Sequence, residues 1–285
     1  MRTKLSSKDE KAESSEAHLS KEEKRLAQEH ASPRAVVIHE IIRADGQQEL
    51  ERTTVALILS GAAAGLSMGF SFLAEAMLRM ELPVEPWRHL IESAGYSVGF
   101  IIVVLGRQQL FTESTLTAVL PLLTNRDLKT FCRLIRLFTI VLLANLAGTW
   151  LFASLLQIKS VFPESTTAAL EELARLAAPE GFGVMFIRSI FSGWLIALMV
   201  WILPAAQSER LLTVFVITYV VGLGGFSHIV AGSTEASYSV LAGFSTLKDY
   251  FLGFALPTVL GNTIGGVALV SILNHGSIAP EIGRA

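Results

Sequence analysis

From position 53 onward apolar residues dominate the chain, in runs separated by short polar stretches. A helix needs about 20 predominantly apolar residues to cross a bilayer. Six segments meet that length: 53–78, 94–123, 134–157, 182–204, 211–243 and 251–273. The second and fifth are too long for one crossing and are broken. Gly106-Arg107-Gln108-Gln109 interrupts the second. Gly222-Leu223-Gly224-Gly225 and then Gly232-Ser233-Thr234-Glu235 interrupt the fifth. Their pieces are expected to be too short to cross alone, so the pattern predicts six spans rather than eight. Ahead of them, Val36, Val37, Ile41 and Ile42 stand against Arg34, His39, Glu40 and Arg43. That spacing predicts an amphipathic surface helix within 33–52.

Composition sharpens this reading. The chain is 51% hydrophobic and 17% charged, where a soluble domain carries about 25% charged residues. Residues 1–52 hold 10 of the 23 Lys/Arg and 11 of the 25 Asp/Glu. The remaining 233 positions keep 13 and 14, too few to build a water-facing surface. Residues 1–32 are rich in Lys, Glu and Ser and are expected to be a disordered or loosely helical tail, or one that binds a partner. With a net charge of −2, no global field argues for nucleic acid. Cys132 is the only cysteine, which excludes an internal disulfide and a cysteine-based metal cluster.

Basic residues in short loops set orientation. Arg126, Lys129, Arg133 and Arg136 follow the second span and Arg210 the fourth. The connection after the first span is acidic, and 158–181 carries Glu164, Glu171, Glu172 and Glu180. Both termini, including 274–285, are therefore expected in the cytoplasm, with 158–181 outside it. Three spans (53–157) precede that connection and three (182–273) follow, so the halves are expected to insert in opposite senses. Asn145-Leu-Ala-Gly148 in the third span matches Asn262-Thr-Ile-Gly265 in the sixth. Two broken helices at matching positions in inverted halves point to a substrate site near the midplane. Half-helix N-termini there would favour anions.

The first break runs into Leu110-Phe111-Thr112-Glu113. Thr112 offers a hydroxyl to an anion, or caps the next half-helix. Leu110 and Phe111 would form an apolar constriction, or serve as ordinary core. The second break reads Gly225-Phe226-Ser227-His228-Ile229-Val230-Ala231-Gly232. His228 is the only histidine inside the apolar segments. Its side chain is of the type that changes charge near neutral pH, suited to handing a proton to a weak-acid anion or pairing with it. The bland alternative is a satisfied structural histidine. Arg107 and Glu113 flank the first break and are placed to pair across it; Glu235 is placed to find Arg188. Otherwise each of the four charges reaches water at a span end. No phosphate loop, HExxH, GxSxG or Cys/His cluster occurs, so neither cofactor nor metal is expected and an enzyme is the least expected class.

These residues resemble the formate/nitrite transporter family. The match rests on Leu110-Phe111-Thr112 and Gly225-Phe226-Ser227-His228-Ile229-Val230-Ala231. It also rests on Phe186-Ile187-Arg188-Ser189-Ile190 leading to Trp194–Trp201, and on Asn262-Thr-Ile-Gly265-Gly266. The resemblance covers roughly 33–275. It implies an aquaporin-like protomer with six spans in two inverted repeats, a homopentamer in a bacterial inner membrane, and small monovalent anions as substrates. It makes His228 the pore histidine and Thr112 the threonine of the re-entrant loop, and places Leu110, Phe111 and Phe226 along the pore. Departures are Arg107-Gln108-Gln109 where the family commonly has Gly-Ala-Glu, Glu113 where a small residue is frequent, Ser192-Gly193 for a Cys-Asn pair, and Gly232 for an Asn. Alternative readings are a pore for a small neutral solute and a membrane sensor or scaffold using the tail.

Overall fold

The computed structural model describes residues 20–23, 33–158 and 160–282. Met1–Arg34 is a unit of its own. In it the Ser20 N–H donates to the Glu23 carboxylate (2.8 Å) and the Glu23 N–H to the Ser20 hydroxyl (3.3 Å), a reciprocal helix cap. The rest of the expected tail lies outside the described residues.

In the second unit, Ala35–Ala285, all regular structure among the described residues is helical. Helix α1 (Ala35–Glu51) precedes α2 (Thr54–Glu81) and α3 (Arg88–Leu105). Two short helices follow, α4 (Phe111–Thr117) and α5 (Val119–Asn125), then the long α6 (Leu128–Leu156). After α7 (Glu164–Leu176) come α8 (Phe182–Ile202), α9 (Arg210–Leu223) and α10 (Ala231–Leu241). The last stretch alternates winding: π-helical Asp249–Ala255, α11 (Leu256–Ile264), π-helical Gly265–Ile272 and α12 (Leu273–Ile282).

Local chemistry sets the boundaries. The Thr53 hydroxyl accepts the Ala56 N–H at 3.3 Å and starts α2; the Asp127 carboxylate accepts the Thr130 N–H at 2.9 Å and starts α6. Five stretches are long and apolar enough to cross a membrane: Thr54–Glu81, Arg88–Leu105, Leu128–Leu156, Phe182–Ile202 and Asp249–Ile278. Arg210–Leu223 is apolar but shorter. One expectation needs correction. The second segment begins at Arg88 rather than 94, because Leu90 and Ile91 extend the apolar run, and α3 reaches crossing length before its break. A further departure is α7, a helix within 158–181.

Close helix crossings hold the bundle. A Cβ on Gly148 would come within 2.5 Å of the Ala62 carbonyl oxygen, and its near neighbour there is Gly65. A Cβ on Gly193 would meet the backbone of Asn262, and Gly265 packs beside the same turn. Only a residue without a side chain lets α2 approach α6, and α8 approach α11, at these points. The main core gathers around the two breaks, including Phe100, Leu110, Phe111, Val221, Ile229 and Val230. A second cluster of Phe72, Phe152, Leu170 and Tyr238 seats α7 on α2, α6 and α10. Arg79 ties that end together: it donates to Glu92 at 2.7 and 2.9 Å and to Glu172 of α7 at 2.5 Å.

Candidate functional site

Helix α3 ends at Leu105 and α4 begins at Phe111; α9 ends at Leu223 and α10 begins at Ala231. Non-helical backbone at membrane depth must find partners inside the protein. Here two asparagines supply them. The Asn145 side-chain carbonyl accepts the Phe111 N–H (2.9 Å), and its amide donates to the carbonyls of Gly61 (2.8 Å) and Gln109 (3.0 Å). The Asn262 side-chain carbonyl accepts the Ile229 N–H (2.9 Å), and its amide donates to the carbonyls of Ser189 (2.8 Å) and Ser227 (3.1 Å). The two clamps share these three backbone bonds, and the Asn262 amide also donates to the Ser192 hydroxyl at 2.9 Å. Both asparagines are fully buried. In the second break Ser192 adds a bond, its hydroxyl donating to the Ser227 carbonyl at 2.8 Å.

Thr112 and His228 meet between the breaks. The Thr112 hydroxyl oxygen lies 2.8 Å from His228 Nε2. His228 Nδ1 accepts the backbone N–H groups of Val230 (3.3 Å) and Ala231 (3.2 Å). An acceptor Nδ1 carries no proton, so the neutral ring holds its proton on Nε2 and donates it to Thr112. The imidazole is thus also the cap of α10. Phe100 stands edge-on to the ring, centroids 4.9 Å apart. Amide hydrogens expected to face an anion here, those of Ile229, Val230 and Ala231, are instead held by Asn262 and His228. Buried backbone donors take the nearest acceptors the protein offers.

A cavity lies on each side of this contact. One, of about 920 Å³, is lined among others by Arg52, Arg107, Glu113 and Arg210. The other, of about 320 Å³, is lined by Glu75, Tyr96, Phe226, His228 and Glu235 among others. Arg52 and Glu75 sit before and late in the same helix, 23 residues or roughly 34 Å apart at 1.5 Å per residue, so the cavities open at opposite ends of the bundle. Leu110, Phe111 and Thr112 are buried and line neither cavity. Glu113, next to Thr112, faces the larger cavity, and one of its carboxylate oxygens is buried without a hydrogen-bond partner. Glu49, across that cavity on α1, accepts the Thr117 hydroxyl at 2.7 Å; burial pushes its carboxyl up to about 7.

The expected charge pairs are replaced by others. Arg107 sits in a left-handed backbone conformation (φ 51°) that turns it toward α1, where it lies 3.5 Å from Asp45 rather than beside Glu113. Arg188 lies in the second turn of α8 and pairs at 2.7 Å with Glu180 in the segment leading into that helix, not with Glu235. Phe226 stacks on Phe191, centroids 5.3 Å apart. Sequence reasoning marked Asn145 and Asn262 as signs of repetition, and Asn262 as part of the resemblance, but gave neither a part in the site and passed over Glu75. The signal for Glu75 was present: an acid inside an apolar run is functional by default.

Apolar helices gathered around two interrupted segments, with polar groups meeting where the interruptions meet, are the build of a helical channel or transporter. Comparison with known proteins agrees. The family model described as Formate/nitrite transporter matches residues 36–276, and the chain belongs to that family. It is 42% identical over 249 residues to the inner membrane protein YfdC of Escherichia coli (strain K12), covering 87% of this chain and 80% of that one. Among solved structures it is similar to an FNT family ion channel, with a TM-score of 0.75 at 20% identity over 85% of this chain and 99% of that chain. It is also similar to a pentameric formate channel with formate bound, with a TM-score of 0.66 at 20% identity over 77% and 95%.

Proposed function

We propose that the chain forms a pore for a small monovalent anion or its neutral acid, one pore per protomer of a homopentamer in a bacterial inner membrane. In this reading six spans form two inverted three-helix repeats, with the second and fifth broken, and both termini are cytoplasmic. The larger cavity is then the cytoplasmic vestibule and the smaller one the periplasmic vestibule. One observation carries the proposal: the 2.8 Å contact of Thr112 with His228, set between two cavities by two similarly wired asparagine clamps. The shared wiring supports duplication, and the formate bound to a pentameric relative supports substrate and assembly.

The chemistry follows from the hydrogen-bond directions. The imidazole donates to the Thr112 oxygen, which leaves the hydroxyl hydrogen of Thr112 for a solute oxygen. Leu110 and Phe111 form an apolar barrier on one side of that donor, and Phe226 borders the other. A solute crossing such a barrier with a net charge is costly, and a neutral one much less so. Thr112→Val removes the hydroxyl while keeping the shape. It is expected to lower formate flux in proteoliposomes by about tenfold, the worth of one hydrogen bond, with the pentamer intact by native mass spectrometry. Unchanged flux would remove Thr112 from the path. A panel of monovalent anions against urea and glycerol separates this reading from a neutral-solute pore.

A further inference from the structure

Both helix ends at the second break rest on a histidine. His228 accepts the first amides of α10. At the other end, the amides of Gly224, Gly225 and Phe226 turn back to the carbonyls of Val220, Gly222 and Val221. The carbonyl of Leu223, the last residue of α9, is left facing His89 Nε2 at 3.1 Å. His89 stands in the first turn of α3 and lines the cavity beside His228. Its Nδ1 faces the Glu92 carboxylate at 3.2 Å. The Ser93 hydroxyl, 3.5 Å from Nδ1, brings it no hydrogen, because it donates to the His89 carbonyl at 2.7 Å. A carboxylate and a carbonyl only accept. Both ring nitrogens must therefore carry hydrogen for the two contacts to hold together, and a ring that makes both is an imidazolium.

The negative end of the α9 dipole lies at Leu223 and suits a cation there. Around the ring stand Arg88 and Glu92 of α3, Arg79 of α2, which donates to Glu92 at 2.7 Å, and Glu172 of α7, also held by Arg79. Glu75, Glu180, Arg188 and Glu235 line the same cavity, and of these Glu180 and Arg188 are paired with each other at 2.7 Å. We propose that His89 is a positioning residue of the pore: as the imidazolium it ties the end of α9 to α3 and so holds the turn at Gly224–Phe226 in its conducting arrangement. A neutral ring keeps one contact and turns a lone pair on the other acceptor, which frees the turn. Gly225 sits there at φ 58°, with Phe226 stacked on Phe191 beside it and His228 two residues further on. This rests on the pore reading above and adds a proton-dependent support at the cavity mouth, acting through Phe226 and His228 rather than on the solute.

The test is formate flux in proteoliposomes with the same pH on both faces, at about pH 5.5 and about pH 8, either side of the range in which imidazoles titrate. The ratio of wild-type to variant flux at one pH cancels the solute's own protonation. His89→Gln can donate through one group only. Its flux is expected to be about tenfold below wild type at the acid value, the worth of one charge-assisted hydrogen bond, and equal to wild type at the alkaline one. His89→Arg keeps a charge and several donors. It is expected to match wild type at the acid value and to exceed it about tenfold at the alkaline one. Protection of the Gly224, Gly225 and Phe226 amides against hydrogen exchange, corrected for intrinsic rate, is expected to fall in the wild type between the two values and to stay level in both variants. Native mass spectrometry checks assembly, and where the Arg variant fails to assemble the wild-type amide protection decides. A wild-type-to-Gln flux ratio that does not change with pH overturns the inference, as does an assembled Arg variant that tracks Gln, or wild-type protection independent of pH. A wild type that conducts formate but fails these points loses this inference alone. A wild type that conducts neither formate nor any other monovalent anion removes the pore reading beneath it.

Discussion

Asn145 and Asn262 each hold three backbone groups of a break in place through one side chain. Removing either leaves the buried N–H of its break without a partner and takes one donor from each of two carbonyls, of which that of Ser227 keeps the Ser192 hydroxyl. A buried unsatisfied group costs about 1–3 kcal/mol, and neither site has solvent exposure to soften the loss. Asn145→Ala and Asn262→Ala are each expected to lower the thermal midpoint in detergent by several degrees. Thr112→Val should lower it less, because that change strands a single buried donor, the Nε2–H of His228, and no backbone group of a break. A midpoint unchanged in both alanine variants would show that the breaks are fixed by other means. His228 was legible in the chain because an ionisable residue inside an apolar run is costly. Its second duty, accepting two amides through Nδ1, depends on a loop conformation that spacing does not encode.

At the scale of helices, two crossings carry the packing near the site. Gly148 and Gly193 leave no room for a side chain against a neighbouring backbone, whereas a Cβ on Gly183, in the first turn of α8, meets nothing within 4 Å. Gly148→Val and Gly193→Val are therefore expected to separate their helix pairs and reduce the yield of folded protein severely. Gly183→Ala is expected to be neutral, or stabilising by up to about 1 kcal/mol through helix propensity. Size-exclusion profiles and thermal midpoints of the three variants read this out, and equal behaviour of all three would contradict the close-crossing account. Helix existence was clear from hydropathy, as were the ends of α3 and α9 near Gly106 and Gly224, but Gly232-Ser233-Thr234-Glu235, expected to interrupt the fifth segment as well, lies within α10. The π-helical turns at Asp249–Ala255 and Gly265–Ile272 were not legible. Their i→i+5 bonding answers to packing rather than to residue type. Nor was the joining of α7 to α2 by Arg79 and Glu172, since ion pairs between distant segments leave no mark on a linear pattern.

Across the whole second unit, the first and last helices touch through an imidazole pair. His39 Nε2 lies 3.0 Å from His275 Nδ1, and Trp201 stands edge-on to His39. Burial, reinforced by the neighbouring His275, holds His39 below its ordinary value of 6.5. An unfolded or undocked His39 takes up a proton at about 6.5, so it binds more protons than the docked form as the pH falls through that value. The contact therefore contributes fully above that value and is lost below it. Hydrogen exchange of α1 is expected to speed up as pH drops from neutral, and His39→Gln is expected to remove that dependence. Exchange independent of pH in the wild type would sever the link. The amphipathic spacing suggested a surface helix with His39 on its polar side, whereas Val37 and Ile41 are exposed and His39 is buried. The partner at position 275 was not suggested, because the contact joins residues 236 positions apart.

The imidazole that seats the α10 amides also borders the cavity, so position 228 answers to two masters. A replacement chosen for its effect on solutes must also reproduce an acceptor at Nδ1, and few side chains do. Adaptation to a new solute is thereby steered away from that residue and onto its neighbours, Glu75, Phe226 and Glu235, which carry no such architectural duty. Among homologous sequences that handle different molecules, variation is expected to collect at those three places while the histidine stays fixed.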